Sequence, residues 1–108
     1  MTDLHAATTR ARDRARTVGV VAEAADKQST LAAIGRALHF PDYVAANLDA
    51  LEESVRDLSW LPVGPVELVW ADGLLRAADP PTHRVIGEIL DGASRSEGER
   101  PFRVTRVG

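Results

Sequence analysis

Three carboxylates stand four residues apart near the middle of the chain: Asp49, Glu53 and Asp57. Glu52 and Arg56 lie between them. Carboxylates at this spacing can do general acid and base work, or can be offered together to a cationic site. No nucleophile or paired base accompanies them, and adjacent turns of one helix form no pocket, so an enzyme is not expected. His5, His39 and His83 lack metal-ligand spacing and are expected at surface or cap positions. The chain has no cysteine, which excludes disulfide scaffolds, thiolate zinc sites, iron–sulfur clusters and thiol nucleophiles. It also has no P-loop, no Gly-x-Gly-x-x-Gly and no Gly-x-Ser-x-Gly. Neither a metal nor a cofactor is expected.

A helix over 47–58 is needed to line the carboxylates up. With Leu48 as the zero of rotation, Leu51, Val55 and Leu58 fall at about 300°, 340° and 280° on one apolar face. Asp49, Glu53 and Asp57 fall at about 100°, 140° and 180°, in a row on the opposite face. Arg56 lies beside that row and Glu52 at its boundary. The row costs stability, because Asp49–Glu53 and Glu53–Asp57 are like-charge pairs one turn apart. Asn47 as N-cap, Asp49 in the first turn and the attractive Glu52–Arg56 pair offset part of this. The geometry admits two readings: a solvated acidic face, or a surface that presents carboxylates to a cationic partner.

The remaining elements follow from pattern and punctuation. Val18–Ala22 is a β-branched run that predicts a strand. Asp26 or Ser29 can cap a helix whose apolar face is Leu31, Ile34 and Leu38, with Pro41 ending it. Val66–Trp70 predicts a second strand after Val63-Gly64-Pro65. A short helix over Gly73–Ala78 is expected, broken by Pro80-Pro81. Val85, Ile86, Ile89, Leu90 and Ala93 mark a further helix that stops near Gly92 or Gly98, followed by a polar loop over 94–100. Phe102–Val107 alternates apolar residues with Arg103 and Arg106, as a half-wet strand does. Trp60 and Trp70 follow apolar runs and are expected to be partly in the core. Strands joined by helical connections pair in parallel. The fold class is therefore α/β, a small three-stranded parallel sheet packed with helices.

At 108 residues, with 44% hydrophobic and 27% charged residues, the chain is one globular domain. No apolar run is long enough to span a membrane. Residues 1–16 carry Arg10, Arg12, Arg14 and Arg16 but no apolar core segment, so they are not a secretory signal, and a cytoplasmic location is expected. They read as a basic arm or weak helix, its arginines solvated beside Asp13. The net charge is only −3, yet it is unevenly placed. Residues 40–79 hold eight acids and two bases, while both flanking thirds are slightly basic. An acidic middle repels nucleic acid and attracts basic proteins.

The segment from Phe40 to Glu53, FPDYVAANLDALEE, resembles the barstar family of ribonuclease inhibitors. Pro41, Asp42, Tyr43, Asn47, Asp49, Ala50, Leu51 and Glu53 match the family pattern in register, and RDLSWLP at 56–62 is similar to its next loop. The resemblance covers roughly residues 17–107, so 17–108 is expected to be a barstar-like domain. It implies a protein that plugs the basic cleft of a barnase-type ribonuclease with an acidic helix in place of RNA phosphates. Asp49 and Glu53 would accept hydrogen bonds from the nuclease's arginines and histidine. Tyr43 would pack at the rim, and Asn47 would cap the helix and meet the partner's loop. Asp91 matches a further family acid, and Asp57 is added by geometry alone. Val44 and Glu52 stand where the family usually has aromatics, Ala45 where it has glycine, and Glu53 where it commonly has aspartate. These changes lie on the binding face, Glu52 included. They leave open a second reading, an interaction or regulatory module for a different basic protein. The expected partner is thus a basic protein, a barnase-type ribonuclease first, with the inhibitor monomeric when free.

Overall fold

A computed structural model describes residues 3–95 and 98–108. The elements run α1 (Leu4–Arg14), β1 (Thr17–Val21), α2 (Lys27–Ala37), α3 (Leu48–Asp57), β2 (Val66–Ala71), α4 (Gly73–Ala78), α5 (Pro80–Ser94) and β3 (Phe102–Val107). The three strands form one parallel sheet in the order β1-β2-β3. Two crossovers stepping in the same direction, each right-handed, must lie on one face of such a sheet. The packing has that arrangement. Val66, Leu68 and Trp70 of β2, with Val21 and Phe102 of its neighbours, face Leu31, Ile34, Leu51, Val55, Ile86 and Leu90 in the main core. β2 is buried along its whole length, because it is central and covered on both faces.

The second face is covered by α1. Ala7 and Ala11 pack on Val69, Ala71 and Val107 in a smaller core. Of the two readings of the N-terminal segment, arm or weak helix, it is the helix, and it is seated on the sheet. Its apolar stripe consists mainly of alanines, too weak a pattern to be read as a buried face. Arg14 also departs from expectation. Instead of being solvated beside Asp13, its guanidinium donates to both oxygens of Glu67, at 2.8 and 2.6 Å. Glu67 lies in the middle strand with its side chain 2% exposed. The Thr105 hydroxyl donates a third hydrogen bond, at 2.7 Å. The Arg14 bonds, supported by Thr105, hold the Glu67 carboxyl below the usual range against the opposing effect of burial.

Several boundaries are set by capping. Asp26, not Ser29, is the N-cap of α2 and accepts from the Ser29 amide at 2.8 Å. α2 ends before Pro41 comes into play. His39 takes a left-handed conformation (φ 57°), and the Phe40 and His39 amides donate to the Gly35 and Arg36 carbonyls. That is the paired closure of a helix C-terminus. Pro80 and Pro81 interrupt the chain after α4 and also begin α5, where a missing N–H costs nothing. α5 continues through Gly92 to Ser94, and the polar loop read over 94–100 lies partly outside the described residues. Gly19 is required by close approach: a Cβ there would sit 2.7 Å from the Ala37 carbonyl oxygen, where α2 crosses β1.

Candidate functional site

α3 is the element with the sharpest division between faces. Leu51, Val55 and Leu58 are each 2% exposed and point into the main core. Asp49, Glu52, Glu53, Arg56 and Asp57 are exposed. The helix starts where the Asn47 side chain accepts from the Ala50 amide at 2.8 Å. It ends at Leu58 in a left-handed conformation, with the Leu58 amide donating to the Ser54 carbonyl. Both ends are thus fixed by the local sequence, and the carboxylate row is held as a rigid line.

Asp49 and Glu53 have no counter-ion among the described residues. Arg56 approaches Glu52 only at 3.9 Å, with both side chains more than half exposed, so the pair does little to neutralise the face. Asp57 accepts from the Ser59 hydroxyl at 3.2 Å. Tyr43 precedes the helix on the loop over 40–47 and is 87% exposed, a large aromatic held in solvent. The loop and helix do form a pocket, contrary to the expectation from helix turns alone. Tyr43, Val44 and Ala45 on one side and Glu53, Ser54, Asp57 and Trp60 on the other line an open groove of about 280 Å³. The pocket arises because a second segment folds beside the helix, which no single-helix projection contains. Trp60 is braced beneath it. Its indole N–H donates to the Leu38 carbonyl at 2.9 Å, and Phe40 meets its ring edge-on at 5.7 Å.

Tyr43, Asn47, Asp49, Glu52, Glu53 and Asp57 therefore lie together on α3 and its entry loop. Asp91 stands apart. Its carboxylate is held by Arg106 of β3 at 3.2 Å, and it lines neither the groove nor the loop. That ion pair belongs to a cluster at the C-terminal ends of β2 and β3 that sequence reasoning missed. Asp72 is 2% exposed, with its Oδ2 2.7 Å from His83 Nε2 and about 4 Å from the Arg76 and Arg106 guanidiniums. The His83 ring stacks on Trp70 at 5.3 Å, and Arg106 lies over the same indole at 5.7 Å. His83 is thus half-buried in an ion-paired cluster and is not a cap. The pairing joins residues from α4, α5, β2 and β3, so no local spacing signals it. His39 does occupy a cap position, and Trp70 is wholly buried at 1% exposure.

Among the described residues no three His, Asp or Glu side chains converge to hold a metal ion. No helix among them is long and apolar enough to cross a membrane. The acidic face is exposed, backed by a firm core and flanked by an aromatic, which suits contact with a cationic surface. No curated protein matches the chain in sequence. The family model described as Barstar (barnase inhibitor) matches residues 4–106, which include α1, the acidic helix and all three strands, and the chain therefore belongs to the barstar family.

Proposed function

We propose that this protein inhibits a barnase-type ribonuclease by occupying its basic active-site cleft with α3 and the loop before it. The observation that carries this reading is the pair Asp49 and Glu53: exposed, one turn apart, without a counter-ion among the described residues, on a helix whose other face is locked in the core. Arginines of a cleft built for RNA phosphate would find two carboxylates at a spacing they can bridge. Tyr43 would cover the rim, and Asn47 would both hold the helix start and meet the partner's loop. Inhibition would be steric and electrostatic, with no chemical step. A role as an immunity protein or antitoxin inside the producing cell fits this mode of action. So does monomeric behaviour in the free state, since the acidic face repels its own copy.

The test is calorimetric titration against a barnase-type ribonuclease at low and high salt, with the Asp49→Ala/Glu53→Ala double variant as control. Tight, salt-sensitive binding that disappears in the double variant is the expected result. Absence of binding by the wild-type protein would reject ribonuclease inhibition of this type. Glu52 supports a second reading. It adds an exposed charge where the family usually has an aromatic, which suits a different basic protein. Proteins co-purifying through the wild-type acidic face, but not through the double variant, would identify such a partner.

A further inference from the structure

The arginines of the N-terminal segment take no part in the acidic site, and one of them shapes a second cavity. Where α1 ends and β2 and β3 begin, an open pocket of about 420 Å³ has Arg14, Pro65, Glu67, Pro101, Phe102 and Arg103 in its lining. That size lies in the range of small-ligand sites. Strand alternation places Glu67 and Arg103 on the sheet face that α1 covers, with Val66 and Phe102 turned to the main core. α3 packs on the other face, and the pocket shares no residue with the groove beside it.

The charges of this pocket are arranged for an anion. Glu67 is 2% exposed and holds Arg14 through both Nε and Nη2. The Thr105 hydroxyl donates to the same carboxylate, which is thereby satisfied from within. Arg14 Nη1 has no partner among the described residues, and the side chain is 43% exposed. Arg14 is thus fixed by a buried carboxylate while part of its donor fork stays open to the pocket. Arg103 is exposed and forms no ion pair among the described residues. Two guanidiniums against one carboxylate leave a cation in excess. They come from different elements, so they call for an anion with acceptors in more than one plane. A phosphate monoester has three terminal oxygens and meets that need better than a planar carboxylate. Pro65, Pro101 and Phe102 add apolar surface beside the charges. We propose that this pocket binds a small phosphate ester with a flat, apolar body, a ligand of the nucleoside monophosphate class. Its phosphate would bridge Arg14 and Arg103, and its ring would lie on the prolines. The bound ligand would tie α1 to β3. Ribonuclease inhibition is not required for this site to exist.

The test is titration of the full chain, labelled with nitrogen-15, by two-dimensional NMR at constant ionic strength. The probes are adenosine 5′-monophosphate, inorganic phosphate and adenosine. Saturable shifts at the Glu67, Phe102 and Arg103 amides and at the Arg14 Nε–H are expected with the nucleotide. Inorganic phosphate is expected to move the same signals with several-fold weaker affinity, and adenosine to move none. Arg103→Gln is expected to weaken nucleotide binding several-fold while the spectrum away from the pocket stays as in wild type, since Arg103 makes no internal ion pair. Arg14→Lys is expected to weaken it too, and its spectrum reports whether α1 keeps its seat. Arg12→Ala is expected to leave the titration unchanged, because Arg12 lies nearly opposite Arg14 around the helix. The Asp49→Ala/Glu53→Ala double variant is expected to titrate like wild type. Absence of a saturable shift with the nucleotide would overturn the inference, as would equal shifts with adenosine. Binding that Arg103→Gln leaves intact but Arg12→Ala weakens would show general attraction to the basic helix and overturn it as well. Inorganic phosphate bound as tightly as the nucleotide would overturn the assignment of the ligand class.

Discussion

At the scale of single residues, the main question is which charges are committed internally and which are free. Asp91 is committed to Arg106, and Glu67 to Arg14 and Thr105. Asp49 and Glu53 have no counter-ion among the described residues. A carboxylate desolvated against an arginine contributes about 2 kcal/mol, or about thirtyfold in affinity. Asp49→Ala is thus expected to weaken ribonuclease binding by about that factor, and Glu53→Ala similarly. Asp91→Ala is expected to change binding less than threefold, as read by the same titration. Arg14 gives a second prediction. The Glu67 carboxyl is held below the ordinary range, mainly by Arg14. As pH falls, the unfolded chain takes up its proton first, so the pair's stability is present at neutral pH and lost through the folded-state value. Arg14→Ala should destabilise the protein at pH 7 by leaving a buried carboxylate with Thr105 as its remaining side-chain partner. The difference from wild type should shrink as pH drops and Glu67 is neutralised, which urea denaturation at a series of pH values would measure.

At the scale of elements, α3 carries the function, and its geometry depends on its ends. Asn47 holds the first turn through one side-chain acceptor. Asn47→Ala is expected to cost about 1 kcal/mol and lower the melting temperature by roughly 4 °C. Hydrogen exchange should quicken in the first turn of α3, ahead of the sheet. α2 and β1 meet with no room for a side chain at Gly19, whose added Cβ would press on the Ala37 carbonyl oxygen. Gly19→Ala is therefore expected to destabilise by at least 1 kcal/mol, as overpacking does. Denaturation of that variant beside Gly98→Ala, whose Cβ position meets nothing within 4 Å, would separate crowding from backbone effects.

At the scale of the whole molecule, a net charge of −3 conceals an acidic face made by the exposed Asp49, Glu52, Glu53 and Asp57 of α3. Its field accelerates encounter with a basic partner, and salt screens it over about 10 Å at 0.1 M. The association rate with a barnase-type ribonuclease is expected to fall about tenfold or more between low salt and 0.5 M, with a much smaller change in dissociation. Stopped-flow mixing would measure both. A flat salt profile would count against steering by the acidic face.

The order of elements, the parallel sheet and the outward row of Asp49, Glu53 and Asp57 were legible in the residues themselves. Each rests on local periodicity: apolar positions at helical spacing, β-branched runs and side chains that cap their own turns. Those signals reach only a few residues along the chain. The seat of α1 was not legible, because its alanines carry little hydrophobic pattern and Arg14 meets Glu67 across 53 positions. The Asp72–His83 pair was equally hidden, since α4 and the start of α5 must fold back before the two can meet. The ion pair of Asp91 with Arg106 was hidden too, because it forms only once β3 lies beside α5. The groove, too, exists only once the loop over 40–47 lies beside α3. Local sequence determined the acidic helix and its free carboxylates. Long-range packing decided which other charges are neutralised and whether the acidic face has a pocket beside it.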